Sequence, residues 1–316
     1  MRPAIDTIAR TCGVSRTTVS RVLNKHPYVK DDIRERVLAT IKELDYVPQQ
    51  RAVRKKLAVL AVEGLGKCMG FYEASIVSLT TTALMQRGLG VRIYPAEDFN
   101  PLEEPETKCV IYTCPYPNVP KPLPPDIQGI VINSVVDGFH SVRSDHEQGM
   151  RLAVEKLAAM GHKRIGLLLG ELDDWGNRMR LASFNKSIAE LELDAHPQLI
   201  QRQGEHIMML EAMSKLMQAA PTAVVVSGEG ACLDANHALH VLGRKIPDDI
   251  SLVTMEHPAI SGKLTPPNTT VKQDFNALAE AAAEMAAKIV EGGMDGGSRE
   301  AVFKCTFIER ESTRSA

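Results

Sequence analysis

The sequence predicts an α/β protein: a three-helix, helix-turn-helix head at the N-terminus, then a two-lobed body of two parallel sheets with helices on both faces. Three observations predict it. Apolar residues keep helical spacing through the first 46 positions. From Leu57 onward short apolar runs alternate with amphipathic helices. The charge is also split. Residues 1–56 hold 13 Lys/Arg against 6 Asp/Glu, a balance of +7, and the remainder holds 24 against 33, a balance of −9. A basic head on an acidic body is the footprint of a head that meets a polyanion.

The head reads as residues 1–46. Ile5, Ile8 and Ala9 form the apolar face of a first helix, and Gly13 supplies the turn. Ser15 is an N-cap for a second helix through Leu23, with Val19, Val22 and Leu23 facing inward. A third helix runs from Asp31 to Leu44 on Ile33, Val37, Ile41 and Leu44, and its first turn carries Asp31 and Asp32, which suit its positive end. Tyr46-Val47-Pro48 ends it, because the residue before proline resists α geometry. Residues 47–56 read as a basic linker.

The body, residues 57–316, predicts strands at Leu57–Val62, Val91–Tyr94, Cys109–Tyr112, Gly129–Ile132, Arg164–Leu169, Ala223–Val226 and Ser251–Thr254. Helical patterns at Gln148–Ala159, Met179–Leu191 and Asn276–Val290 lie between several of them. The strands are too many for one small sheet, so two lobes are expected: the first over 57–143 plus 274–298, the second over 144–273 plus 299–312. A last strand is expected within Ala301–Ile308. Asn100–Pro125 is dense in proline and reads as loop around one strand, with no covering helix. Such lobes hold ligands in a crevice at the carboxyl ends of their strands.

Composition bounds the class. Hydrophobic residues make up 44% and charged residues 24%, ordinary for a globular protein, and no apolar run is long enough to cross a membrane. The six cysteines contain no C-x-x-C pair, which argues against a disulfide framework and a zinc site and fits a reducing cytoplasm. Gly64-Leu65-Gly66-Lys67-Cys68 fails the phosphate-loop pattern, because Ala61 and Cys68 stand where Gly and Ser/Thr are needed. His237 and His240 read as an exposed helix face. No hydrolase motif and no cofactor motif occurs, so no enzyme activity, metal or cofactor is expected.

The second helix carries the chemistry of a groove reader. Arg16, Thr17 and Arg21 point outward, and arginine can bond guanine O6 and N7 together. Ser15, Thr18, Ser20 and Asn24 are of the type that bonds phosphates and sets register. Here the run Ile8-Ala9-Arg10-Thr11-Cys12-Gly13-Val14-Ser15-Arg16-Thr17-Thr18-Val19-Ser20-Arg21-Val22-Leu23-Asn24 resembles the head of the lactose-repressor/galactose-repressor (LacI/GalR) family. Val29, Arg34, Arg36-Val37, Leu44 and Tyr46-Val47-Pro48 continue the likeness. So do Gly161-His162-Lys163-Arg164-Ile165-Gly166, Arg178–Phe184, Ile246–Val253 and Thr269-Thr270-Val271 in the body. The resemblance implies a periplasmic-binding-protein-like body, a homodimer, near-palindromic double-stranded operator DNA, and repression switched by a small-molecule effector such as a sugar or sugar phosphate.

The departures matter as much. Members of the family usually carry an Ala-rich hinge helix after the equivalent of Pro48, with a leucine that wedges into the minor groove. Here the stretch is basic, with Arg51, Arg54 and Lys55, and Lys55 falls about where the leucine is expected. Two readings stay open: a helix that forms on DNA, with these residues on phosphates, or a basic tether. By resemblance the effector residues are Phe71, Tyr72, Arg180, His206, Glu256 and Gln273, with Gly228 where the family commonly has a hydroxyl-binding Asn. Arg180 is an effector contact or a structural ion pair; Phe71 and Tyr72 are pocket or lobe core; His206 is pocket or plain surface. A body whose pocket has decayed is the alternative to a switched repressor.

Overall fold

The computed structural model describes residues 5–23, 29–44, 57–62, 65, 69–100, 106–113, 123–170, 174–203, 208–228, 231–255, 258–292, 294 and 297–316. The chain divides into two compact units, Met1–Lys55 and Lys56–Ala316.

The first unit holds α1 (Ile5–Cys12), α2 (Arg16–Leu23) and α3 (Asp31–Glu43). Gly13 adopts φ +63° and ends α1. Its N–H reaches the Arg10 carbonyl at 3.2 Å, and the Val14 N–H reaches the Ala9 carbonyl at 3.0 Å. This pair of bonds satisfies the last carbonyls of the helix and reverses the chain within two residues. Ser15 Oγ then accepts from the Thr18 N–H at 3.1 Å and caps α2. Ile8, Cys12, Val19, Val22 and Val37 close a small core between the three helices.

In the second unit, sheet one is built from β1 (Leu57–Val62), β2 (Gly90–Pro95), β3 (Cys109–Thr113), β4 (Gln128–Ile132), β5 (His140–Ser144) and β11 (Glu300–Phe303), in the order β11-β5-β4-β3-β1-β2. All its pairings are parallel. Sheet two holds β6 (Ile165–Leu169), β7 (Ile200–Arg202), β8 (Ala223–Ser227), β9 (Ser251–Met255), β10 (Thr269–Lys272) and β12 (Thr306–Ile308), in the order β12-β10-β9-β8-β6-β7, with β12 antiparallel to β10. α5 (His146–Ala159) and α6 (Trp175–Glu190) cover one face of sheet two, and α7 (Met209–Gln218) and α8 (Ala231–Val241) cover the other. α9 (Pro258–Ser261) follows β9. In sheet one, α4 (Phe71–Gln86) and α10 (Phe275–Val290) pack side by side on one face. On its other face Val59, Val110, Tyr112 and Val131 are covered, among the described residues, by loop and strand-end side chains such as Phe99, Leu123 and Phe139. Among the described residues of that proline-rich stretch, 100, 106–113 and 123–125, no helix is found.

One expectation is corrected. The sequence pattern places the region 299–312 wholly in the second lobe, with one strand in it. The chain instead forms two short strands there. β11 pairs with β5 in sheet one (Glu300 with Ser141), and only β12 joins sheet two. Lys304 and Cys305 make the crossing. Two strands this short leave no apolar run in sequence to mark where one sheet ends and the other begins. The short strands β5 and β7 also escape the sequence reading. Three passages therefore link the sheets: β5 to α5, β10 to α10, and β11 to β12.

Candidate nucleic-acid interface and inter-lobe site

In the head, α2 buries Val19 and Val22 and exposes Arg16, Thr17 and Arg21, with Ser15 exposed at its start and Thr18 and Ser20 half-buried on its flanks. The side-chain period of the helix makes this split. Ser15 also bonds the Thr18 hydroxyl at 2.9 Å. Arg16 Nε lies 3.0 Å from Asp6 Oδ1 at the start of α1. Asn24, Arg51, Arg54 and Lys55 lie outside the described residues, as does the choice between hinge helix and tether.

In the body, the passages between sheets gather a polar cluster at the carboxyl end of sheet one. Tyr72 in the first turn of α4 packs edge-on to Phe275, with centroids 5.4 Å apart, and its hydroxyl accepts from Asn133 Nδ2 at 2.9 Å. Gln273 Oε1 accepts from Asn133 Nδ2 at 3.0 Å and from the Ser144 hydroxyl at 2.9 Å. The Ser144 N–H donates to Asn133 Oδ1 at 2.8 Å. Asn133 holds this place at φ +52°, which Asn tolerates better than other side chains. Gln273 and Tyr72 are thus brought together, through Asn133 and Ser144. Phe71 is not part of this: it stands 53% exposed on α4.

Arg180 belongs to a second cluster in lobe two. Its Nη1 donates to Asn177 Oδ1 at 3.2 Å and its Nη2 to His146 Nδ1 at 3.0 Å. Asn177 continues the chain, accepting from the Ser227 hydroxyl at 3.2 Å, and Asp174 caps α6 by accepting from the Asn177 N–H at 2.7 Å. Burial holds the His146 pKa well below the ordinary histidine value, and the Arg180 and Arg143 charges add to this, so the ring is neutral. With Nδ1 accepting, the proton sits on Nε2, which is buried and has no hydrogen-bond partner among the described residues. Trp175 lies 5.6 Å from the His146 ring, and the Arg143 guanidinium stands 5.0 Å over its own ring, from sheet one to α6. At Gly228, φ is +147° and an added Cβ would lie 3.0 Å from Gly170 Cα, so the ends of β6 and β8 touch where a side chain would stand. His206 and Glu256 lie outside the described residues.

Asn133, Ser144, His146, Trp175 and Asn177 were not found from sequence. Only Asn133, directly after an apolar strand at a carboxyl end, carried a signal of its own.

A small helical head that exposes Arg and Thr from its second helix, with a two-sheet body linked three times through the chain, defines a helix-turn-helix regulator with a binding-protein-like body. Residues 4–49 match the bacterial regulatory proteins of the lacI family, and residues 154–313 match the periplasmic binding protein-like domain. The chain belongs to the periplasmic binding protein-like family, matched over half its length, and carries a lacI-family head at its N-terminus. It is 28% identical to the lactose operon repressor of Escherichia coli (strain K12) over 335 aligned positions, covering 97% of this chain and 89% of that protein. It is 29% identical to the HTH-type transcriptional repressor PurR of Haemophilus influenzae (strain ATCC 51907 / DSM 11121 / KW20 / Rd), covering 85% of each. Among solved structures it superposes on the Lac repressor dimer bound to operator and the anti-inducer ONPF, with TM-score 0.78, 25% identity, 99% of this chain and 100% of that one. These relatives are transcriptional repressors. Among the described residues no helix is long and apolar enough to cross a membrane.

Proposed function

We propose that the chain is a dimeric, sequence-specific repressor whose affinity for a near-palindromic operator is switched by a small molecule, a sugar or sugar derivative, bound between the lobes. The observation that carries the DNA half is the sorting of α2: valines inward, Arg16, Thr17 and Arg21 outward beside a capped N-terminus. Ser15, Thr18, Ser20 and Asn24 bond phosphates, and Arg51, Arg54 and Lys55 add phosphate contacts. The full-length likeness to the lactose operon repressor supports this reading, as does the operator and anti-inducer named for the superposed dimer.

The switch half rests on the clusters around Gln273 and Arg180, at the carboxyl ends where such folds hold ligands. Phe71, Tyr72, His206 and Glu256 complete the proposed pocket. Binding-site selection with and without candidate sugars, sugar phosphates and nucleosides tests both halves. A palindrome should emerge, and one ligand should shift affinity by about 5–150-fold, with operator shifting ligand affinity by the same factor. Recovery of no preferred sequence ends the proposal.

A second reading has its own observation. Arg180 is bonded to His146 and Asn177, and Gly228 lies against Gly170 where an Asn would otherwise bind hydroxyls. A pocket closed on itself favours a regulator without an effector, controlled by protein contacts or by its own abundance. A panel that gives no thermal shift with any ligand, set against about 2.7 kcal/mol for a ligand at 100 times its Kd, selects this reading.

A further inference from the structure

Residues 5–23 contain a single carboxylate, Asp6. It stands in the first turn of α1, and its Oδ1 is 3.0 Å from Arg16 Nε, the first residue of α2. The two side chains are 49% and 69% exposed, so the pair lies on the surface of the head. The crease between α1 and α2 that they border is lined also by Ala9, Arg10, Gly13, Val14 and Ser15. A carboxylate here opposes a polyanion and weakens binding to any DNA alike. Held in an ion pair, it does something more useful. A guanidinium has two hydrogen-bonding edges, and a bond through Nε leaves the Nη1/Nη2 end for guanine O6 and N7. A flexible arginine loses several rotors when it meets a base, and a partner that fixes them beforehand lowers that cost.

We infer that Asp6 is a specificity-determining positioning residue, which holds Arg16 in the geometry that reads a base and penalises DNA that offers no such base. This rests on the reading of Arg16 as a base contact. A merely structural Asp6 would change stability, or all sequences equally, and leave the base preference alone.

The test is binding-site selection, with affinities for the selected site and for each single-base variant, using the full-length chain. Four proteins are compared: the unaltered chain, Asp6→Asn, Arg16→Ala and the double variant. Asp6→Asn should tighten binding to unrelated DNA. It should also cut discrimination at one base pair of each half-site by at least about threefold, part of the roughly 5–150-fold that a good bidentate contact supplies. In the Arg16→Ala background the same change should leave discrimination untouched. Asp6→Ser repeats the measurement if the Asn head melts early. If Asp6→Asn and Asp6→Ser keep the full preference, or alter it equally in both backgrounds, the inference is overturned while Arg16 keeps its role. If Arg16→Ala itself keeps the preference, the base-reading role of Arg16 falls and takes the inference with it.

Discussion

Nη2 of Arg180 donates to Nδ1 of His146 across 3.0 Å, tying the second turn of α6 to the first residue of α5. The bond requires a neutral imidazole, since a protonated one would present a donor to a cation. Burial supplies that neutrality.

A pH dependence follows with a definite sign. The folded pKa of His146 lies below its unfolded value of about 6.5, so the unfolded chain holds more protons between the two. Stability is full above that value and falls as pH drops through the window, by at most about 1.4 kcal/mol per pH unit for this group. His140 and His162, whose pKa values are also lowered chiefly by burial, act in the same direction. Urea midpoints from pH 7.5 to pH 5 should decline, and His146→Gln should flatten the decline. An unchanged slope in His146→Gln refutes the assignment.

Asn133 donates to Tyr72 and Gln273, accepts from the Ser144 backbone, and does so at a left-handed φ. Asn133→Ala loses the bonds and keeps the strain, with an expected cost of about 2–4 kcal/mol. Asn133→Gly relieves the strain alone and should recover about 1 kcal/mol of it. Chemical denaturation of the two variants separates the terms; equal midpoints would show that the backbone contributes nothing.

Gly228 tolerates no side chain, for φ and for space together. Gly228→Asn should destabilise the body by about 1–3 kcal/mol instead of creating an effector contact. A variant as stable as the parent, judged by its melting curve, would mean that β6 and β8 can part at their ends.

Ser15→Ala removes the cap on α2 and should cost the head about 1 kcal/mol. On the proposed phosphate role of Ser15, DNA binding should weaken by a similar factor on every sequence. Fluorescence anisotropy on matched and scrambled duplexes checks this, and a loss confined to the matched duplex would move Ser15 among the base readers.

Much of this architecture was legible in residue order. The helical spacing of Ile8, Val19, Val22 and Val37 marks the head, and Gly13 with Ser15 marks its turn, because helix ends have local chemistry. Leu57–Val62, Ala223–Val226 and Ser251–Thr254 announce buried parallel strands, since both faces are covered and the runs are apolar throughout. The resemblance points to Gln273 and Tyr72, but nothing in their spacing announces that Asn133 and Ser144 join them. His146 and Trp175 were missed for a related reason: a polar residue at a helix start looks the same in sequence whether it faces water or an arginine.

Sequence alone determined the head, the two-sheet class of the body and the polarity of α2, because each follows from interactions within a few residues: caps, turns and periodic burial. The tertiary structure decided what depends on residues far apart in the chain. It divided the final strand pair between the sheets, set Gly228 against Gly170, gave Arg180 a neutral histidine for a partner, and placed Asp6 beside Arg16. Such pairings are selected by shape and burial in the assembled fold, and local sequence carries no record of them.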